Sequence, residues 1–226
     1  MSSTFPNLHD STAFLTFSTT PLADPSVPTN DAAKTYLAAT ISQNMTLSTT
    51  PTFICTDAAS ASFALTVVLA APLTPAQLEG SAGGVDAGGF DIKKMRKGHT
   101  VLVPRPERHG VREGKQGYVR CRWEDLVIVP TSLEKLVGMS ERYLKEREEL
   151  GPEAAKEHIA RCQACDKSRN QEELSRCRGC EAVWYCDKAC QTKGWSEMGH
   201  KGECKVLKAM GTSQSPLTMA VHEMGL

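Results

Sequence analysis

A chain of 226 residues, 40% hydrophobic and 23% charged, has the composition of an ordinary globular protein and the length of one medium domain or two small ones. Its 26 basic residues offset 26 acidic ones, which removes any whole-chain attraction to nucleic acid or to an anionic membrane. The longest apolar run, residues 63–73, is about half of the ~20 residues a membrane-spanning helix needs, and the first residues lack a basic start followed by an apolar core, so a protein of the nucleus and/or cytoplasm, with no membrane partner, is expected.

Residues 1–10 read as a flexible tail and 11–130 as an α+β domain whose role the sequence leaves open. The first 91 residues carry Lys34 against seven acids, a net charge of −6, so the remainder carries +6. Residues 12–17 and 63–69, rich in β-branched and aromatic side chains, are predicted strands. Asp31 is placed to cap a short helix through Ala32, Tyr36, Leu37 and Ile41. Residues 21–30 and 80–89, with their Pro, Gly and Ser, read as loops.

In the middle region, Val101, Leu102 and Val103 form a predicted strand ending at Pro104, and a polar loop follows over 105–117. Val119, Cys121 and Trp123 alternate with Arg120 and Arg122, the period of a half-buried strand. Residues 126–129 make a third, closed by Pro130, and the three are expected to form a small antiparallel sheet. Cys55 and Cys121 read as ordinary core thiols, and His99 and His109 as surface or core histidines. Residues 92–130 hold ten bases and four acids, with Tyr118 and Trp123 among them, so any nucleic-acid contact is expected at 92–122. Lys93-Lys94-Met95-Arg96-Lys97 is also a weak nuclear-localisation pattern.

Residues 131–160 read as a helical connector. Thr131-Ser132-Leu133-Glu134 has the pattern of a capping box, Gly151-Pro152 breaks the first helix, and Pro152 suits the first turn of a second. Residues 161–208 form a cysteine-rich module, and 209–226 a second flexible tail.

The module carries Cys162-x2-Cys165, Cys177-x2-Cys180, Cys186-x3-Cys190 and His200-x3-Cys204: seven of the nine cysteines and one histidine, in four chelating pairs. In a reducing compartment such density favours metal over disulfides. Thiolate and imidazole suit zinc, which takes four tetrahedral ligands, so eight donors imply two closed structural Zn²⁺ sites. Ligands four apart fall about one helical turn from each other, which would put each such pair on one helix face. Four pairs can combine in three ways, and spacing does not choose among them. Closed sites leave no position for a catalytic water, and His99 and His109 have no paired carboxylate, Ser-containing elbow or Gly-rich phosphate loop nearby, so an enzyme is not expected.

Tyr185-Cys186, Cys190-Gln191, Trp195 and His200-Lys201 add more than ligand spacing, and with them residues 162–204 resemble a MYND-type zinc finger. The loop over 166–176 is on the long side for that pattern. The resemblance implies interleaved sites, Cys162, Cys165, Cys186 and Cys190 on one zinc, and Cys177, Cys180, His200 and Cys204 on the other. It also implies a protein-interaction adaptor that docks proline-containing peptides of a regulatory complex, with Gln191 and Trp195 in the positions that contact them. Seven thiolates and two dications cancel the +3 of residues 161–208, so the metallated module is near neutral and is not expected to bind nucleic acid electrostatically. The expected architecture is therefore an α+β N-terminal domain with a small antiparallel sheet, a helical connector and a C-terminal two-zinc finger.

Overall fold

The computed structural model describes residues 5–24, 26, 35–74 and 89–211. The proposed cap at Asp31, most of the two loops over 21–30 and 80–89, and residues 212–226 lie outside them. The chain divides into two compact units, Leu8–Val137 and Met1–Asn7 with Gly138–Leu226.

The first unit is built on one mixed sheet. Its described strands are β1 (Phe14–Leu15), β2 (Tyr36–Asn44), β3 (Thr52–Asp57), β4 (Ser62–Val68), β5 (Thr100–Pro104), β6 (Arg108–His109), β7 (Tyr118–Arg122) and β8 (Val127–Val129), in the order β6-β7-β4-β3-β2-β5-β8 with β1 on β2. Strands β2, β3 and β4 form an antiparallel meander, β5 and β8 continue it beyond β2, and β7 lies parallel to β4. The expected small antiparallel sheet is thus corrected. Strands β5, β7 and β8 join a larger mixed sheet, with β7 and β5 on opposite sides of the meander.

The helix expected through Tyr36, Leu37 and Ile41 is instead the central strand β2. Apolar residues stand at successive positions there because both faces are buried, which removes the period-two signal of a half-buried strand. Leu37, Ala39 and Ile41 join Phe53, Cys55, Phe63, Leu65, Val67, Val101, Val103, Val119 and Cys121 in one core. The opposite face is closed near the start of a helix. Thr40 and Thr100 stand in register across β2 and β5. The Thr40 hydroxyl accepts from the Leu133 amide at 3.0 Å, and the Thr100 hydroxyl donates to the Thr131 carbonyl at 2.8 Å.

That helix, α1 (Leu133–Lys156), is interrupted at Gly151, whose φ of 73° and ψ of 166° are non-helical, at the expected break. The capping box is displaced by one residue. Ser132, the residue just before the helix, accepts from the Lys135 amide at 3.4 Å through its hydroxyl, in place of Thr131. Trp123 leaves β7's alternation for a short 3-10 turn and packs edge-on against Phe90 at 4.8 Å. Among the described residues, no helix is long and apolar enough to cross a membrane.

In the second unit, Phe5 is buried and stacks on Tyr143 at 5.4 Å, and the Ser140 hydroxyl donates to the Pro6 carbonyl at 2.6 Å. These residues belong to the stretch read from sequence as a tail. The rest of the unit is small: β9 (Ile159–Arg161) pairs with β10 (Ser168–Asn170), β11 (Ser175–Arg176) pairs with β12 (Trp184–Tyr185), and two helices follow, α2 (Lys188–Ser196) and α3 (His200–Gly211).

Candidate metal centre

Each Cys-x2-Cys pair lies in the turn of a hairpin. Cys162 and Cys165 sit between β9 and β10, and Cys177 and Cys180 between β11 and β12. The two turns repeat one design. The Asp166 amide donates to the Cys162 carbonyl at 2.9 Å and the Glu181 amide to the Cys177 carbonyl at 2.8 Å. Asp166 and Glu181, each just after the second cysteine, have φ of 64° and 58°. A Cys162–Trp184 bridge, with the Gln163 amide donating to the Trp184 carbonyl at 3.0 Å, ties the hairpins together.

Of the remaining four donors, Cys190, His200 and Cys204 lie on helices and Cys186 lies just before one. The Asp187 carboxylate accepts from the Cys190 amide at 2.8 Å and caps α2. The helix therefore starts after Cys186, and only Cys190 lies within it. The expectation that Cys186 and Cys190 share a helix face is corrected for that reason. His200 and Cys204 do lie one turn apart on α3.

Folding collects the eight donors into two groups, Cys162, Cys165, Cys186 and Cys190, and Cys177, Cys180, His200 and Cys204, with donor atoms within 4.8 Å of one another in each. The Sγ atoms of Cys165 and Cys186 are 3.6 Å apart, those of Cys177 and Cys204 are 3.8 Å apart, and Cys180 Sγ lies 3.7 Å from His200 Nε2. A tetrahedron with zinc–sulfur bonds of about 2.3 Å has edges of about 3.8 Å, whereas a disulfide brings sulfurs to about 2.05 Å. Both groups fit structural zinc.

The electrostatics agree. Burial pushes the Cys162 thiol up, but amides of Ala164, Cys165 and Cys186 outweigh it and hold the group at about 7. Cys177 is also lowered, burial being outweighed by amides of Cys180 and Gly179 and by the neighbouring thiols. Cys180 and Cys190 are raised to about 12, by burial first and then by surrounding sulfurs. Cys162 in one group and Cys177 in the other are thus lowered beside neighbours that crowding raises, and a cation held among the sulfurs would stabilise their thiolate forms. His200 is buried and its pKa is lowered by that burial, Glu203 opposing, so its ring is neutral and able to donate a lone pair.

Close packing fixes the donors. A Cβ on Gly194 would lie 2.4 Å from the Tyr185 ring, so α2 rests directly on β12. Tyr185 is buried, donates to Gln163 Oε1 at 2.8 Å and meets His200 edge-on at 6.0 Å. Arg142 pairs with Glu203 at 2.8 Å and so holds the residue beside Cys204 against α1. Sequence reading missed Asp187, Gly194 and Arg142. Asp187 had a local signal, an acid placed to cap the helix that carries Cys190. Of the sites named for peptide contact, Gln191 is exposed and Trp195 is 41% exposed, with its ring edge-on to His200 at 5.7 Å.

Residues 162–204 match the family model described as MYND finger. Curated relatives match over the same part of the chain. A histone-lysine N-methyltransferase of Arabidopsis thaliana, ASHR1, is 42% identical over 48 residues, 21% of this chain and 9% of that protein. The human histone-lysine N-methyltransferase SMYD1 is 42% identical over 50 residues, 22% of this chain and 9% of that protein. A SET and MYND domain-containing protein of Dictyostelium discoideum is 40% identical over 57 residues, 24% and 10% of the two chains. The chain spans about a tenth of the length of the curated relatives it matches. The similarity is to their MYND segment, and four protein donors per site leave no open position for a catalytic water. Residues 162–204 form a MYND finger, a zinc-binding protein-interaction module with two Cys/His clusters.

Proposed function

We propose that the protein is a zinc-dependent adaptor whose finger docks a proline-containing segment of a partner in a regulatory complex, inside the nucleus and/or cytoplasm. The observation that carries this reading is the exposed apolar pair on and just beyond α2. Trp195 and Met198, 41% and 47% exposed, are the large hydrophobic side chains that residues 161–208 expose. Gln191 stands one turn before Trp195 on the same helix face, where an amide can bond the backbone of an extended peptide. Proline segments are already extended and lose little entropy on docking against a flat aromatic face. The edge-on contact with His200 holds the Trp195 ring in place before the peptide arrives. The metals serve as scaffold here, with Cys162, Cys165, Cys186 and Cys190 holding one and Cys177, Cys180, His200 and Cys204 the other.

The test is a titration of the full, zinc-loaded chain with a panel of proline-containing peptides. Trp195→Ala is expected to weaken binding about tenfold or more, with zinc content unchanged. Peptides that bind equally well to that variant, or a panel with no binder, would end this reading.

A further inference from the structure

A second candidate site lies in the Leu8–Val137 unit, on the outer face of its sheet. β7 alternates, with Val119 and Cys121 in the core and Arg120 and Arg122 outside, so Tyr118 shares the outer face with the arginines. Across the parallel ladder, Tyr118 stands beside Ala64 and Arg120 beside Thr66. The hairpin loop between β6 and β7 closes over this place. Gln116 Nε2 donates to the Ser62 carbonyl at 2.9 Å and pins the loop to the start of β4. Arg112 and Lys115 pair through their backbones in a tight turn. The loop lies so close that a Cβ on Gly110 would come 2.9 Å from the Tyr118 ring, and one on Gly117 2.6 Å from the His109 carbonyl.

The result is a cleft of 460 Å³ lined by Ala64, Gly110, Arg112, Lys115, Gln116 and Tyr118. It is largely open to solvent, as a groove that follows an extended strand would be. Arg112, Lys115 and Arg120 are exposed, and among the described residues none has an acidic partner, whereas Arg122 is paired with Asp125 at 2.8 Å. Glu113 is the one acid in the sequence from 108 to 122. Tyr118, one side of whose ring stacks on His109 at 5.9 Å, and the small Ala64 line the cleft, and three cations with no acidic partner among the described residues surround it, a combination that complements a base with flanking phosphates.

We infer that this cleft binds single-stranded nucleic acid, one base against Tyr118 and the backbone along Arg112, Lys115 and Arg120. The sequence-level expectation spread such contact over 92–122; the inferred site is narrower, 110–120 and the face of β4. A site of this kind is independent of the finger.

The test is fluorescence anisotropy of a labelled oligo-dT of about 10 nucleotides titrated with the full, zinc-loaded chain. Three phosphate contacts predict a log–log salt dependence with a slope of about −2. The double variant Arg112→Gln/Lys115→Gln, at exposed positions, is expected to lose affinity about tenfold or more, and Arg120→Gln several-fold. Ala64→Leu fills the lining without changing charge and is expected to lose affinity as well, which separates the cleft from general charge attraction. Lys93→Gln/Lys94→Gln/Lys97→Gln and Trp195→Ala are expected to bind as the parent does. Absence of binding at about 50 mM salt overturns the inference, as does equal loss in the Lys93/Lys94/Lys97 variant or tighter binding of a phosphopeptide of the same charge.

Discussion

Gly179 and Ala164 occupy the same place in the two cysteine turns, and only one of them tolerates a side chain. A Cβ on Gly179 would lie 2.8 Å from Cys204 Sγ, because the α3 donors close over that turn. Gly179→Ala is therefore expected to weaken the second zinc site roughly tenfold or more while leaving the first intact. Stepwise competition with a chromophoric chelator checks this, and Ala164→Gly is the control that leaves both affinities near the parent's. Equal affinities in Gly179→Ala would show that Cys204 is not held where α3 places it. At this scale the donors themselves were legible, because a chelating pair is written in short spacings. The glycine requirement was not, because it depends on a sulfur 25 residues further along the chain.

At the scale of elements, short range again divides what could be read from what could not. The break at Gly151 and the alternation of β7 are local and were readable. Strand β2 was misread as helix because its partners on both faces come from elsewhere in the chain, and β3 went unassigned. The same reason hides Phe5, whose ring stacks on Tyr143 while Arg142 lies over the Tyr143 ring at 5.1 Å and reaches Glu203. An N-terminal residue thus supports the helix that braces α3. Phe5→Ala is expected to cost about 2–3 kcal/mol of the stability of the Gly138–Leu226 unit. Denaturant unfolding followed by zinc release measures it. A midpoint identical to the parent's would mean that the stacking carries no load.

For the molecule as a whole, two units rest on different physics, one on a buried sheet core and one on metal. The core thiols give the first unit an alkaline limit. Burial pushes Cys55 and Cys121 up to about 12, from an ordinary value of 9.0. A neutral thiol is favoured in the folded state, so this stabilisation is complete below about pH 9 and is lost as pH rises toward 12, at roughly 1.4 kcal/mol per pH unit for each group. Between pH 8 and 10.5 the parent should therefore lose more stability than Cys55→Ala/Cys121→Ala, as read by chemical denaturation. Parallel pH profiles would contradict the burial argument. In the second unit Leu174, Val183, Tyr185, Val206, Leu207 and Met210 are buried alongside the cysteine clusters, and structural zinc in small fingers contributes roughly 10–16 kcal/mol per site, so loss of the ion is expected to unfold the finger.

Whether the eight donors of the finger hold two structural zincs is read from metal stoichiometry joined to amide NMR. Two zincs per chain are expected by elemental analysis, and chelation is expected to collapse the amide signals of residues 159–211 while those of the sheet in 36–129 keep their dispersion. One zinc or none per chain, or a chelated protein whose finger signals are unchanged, would contradict two structural zincs.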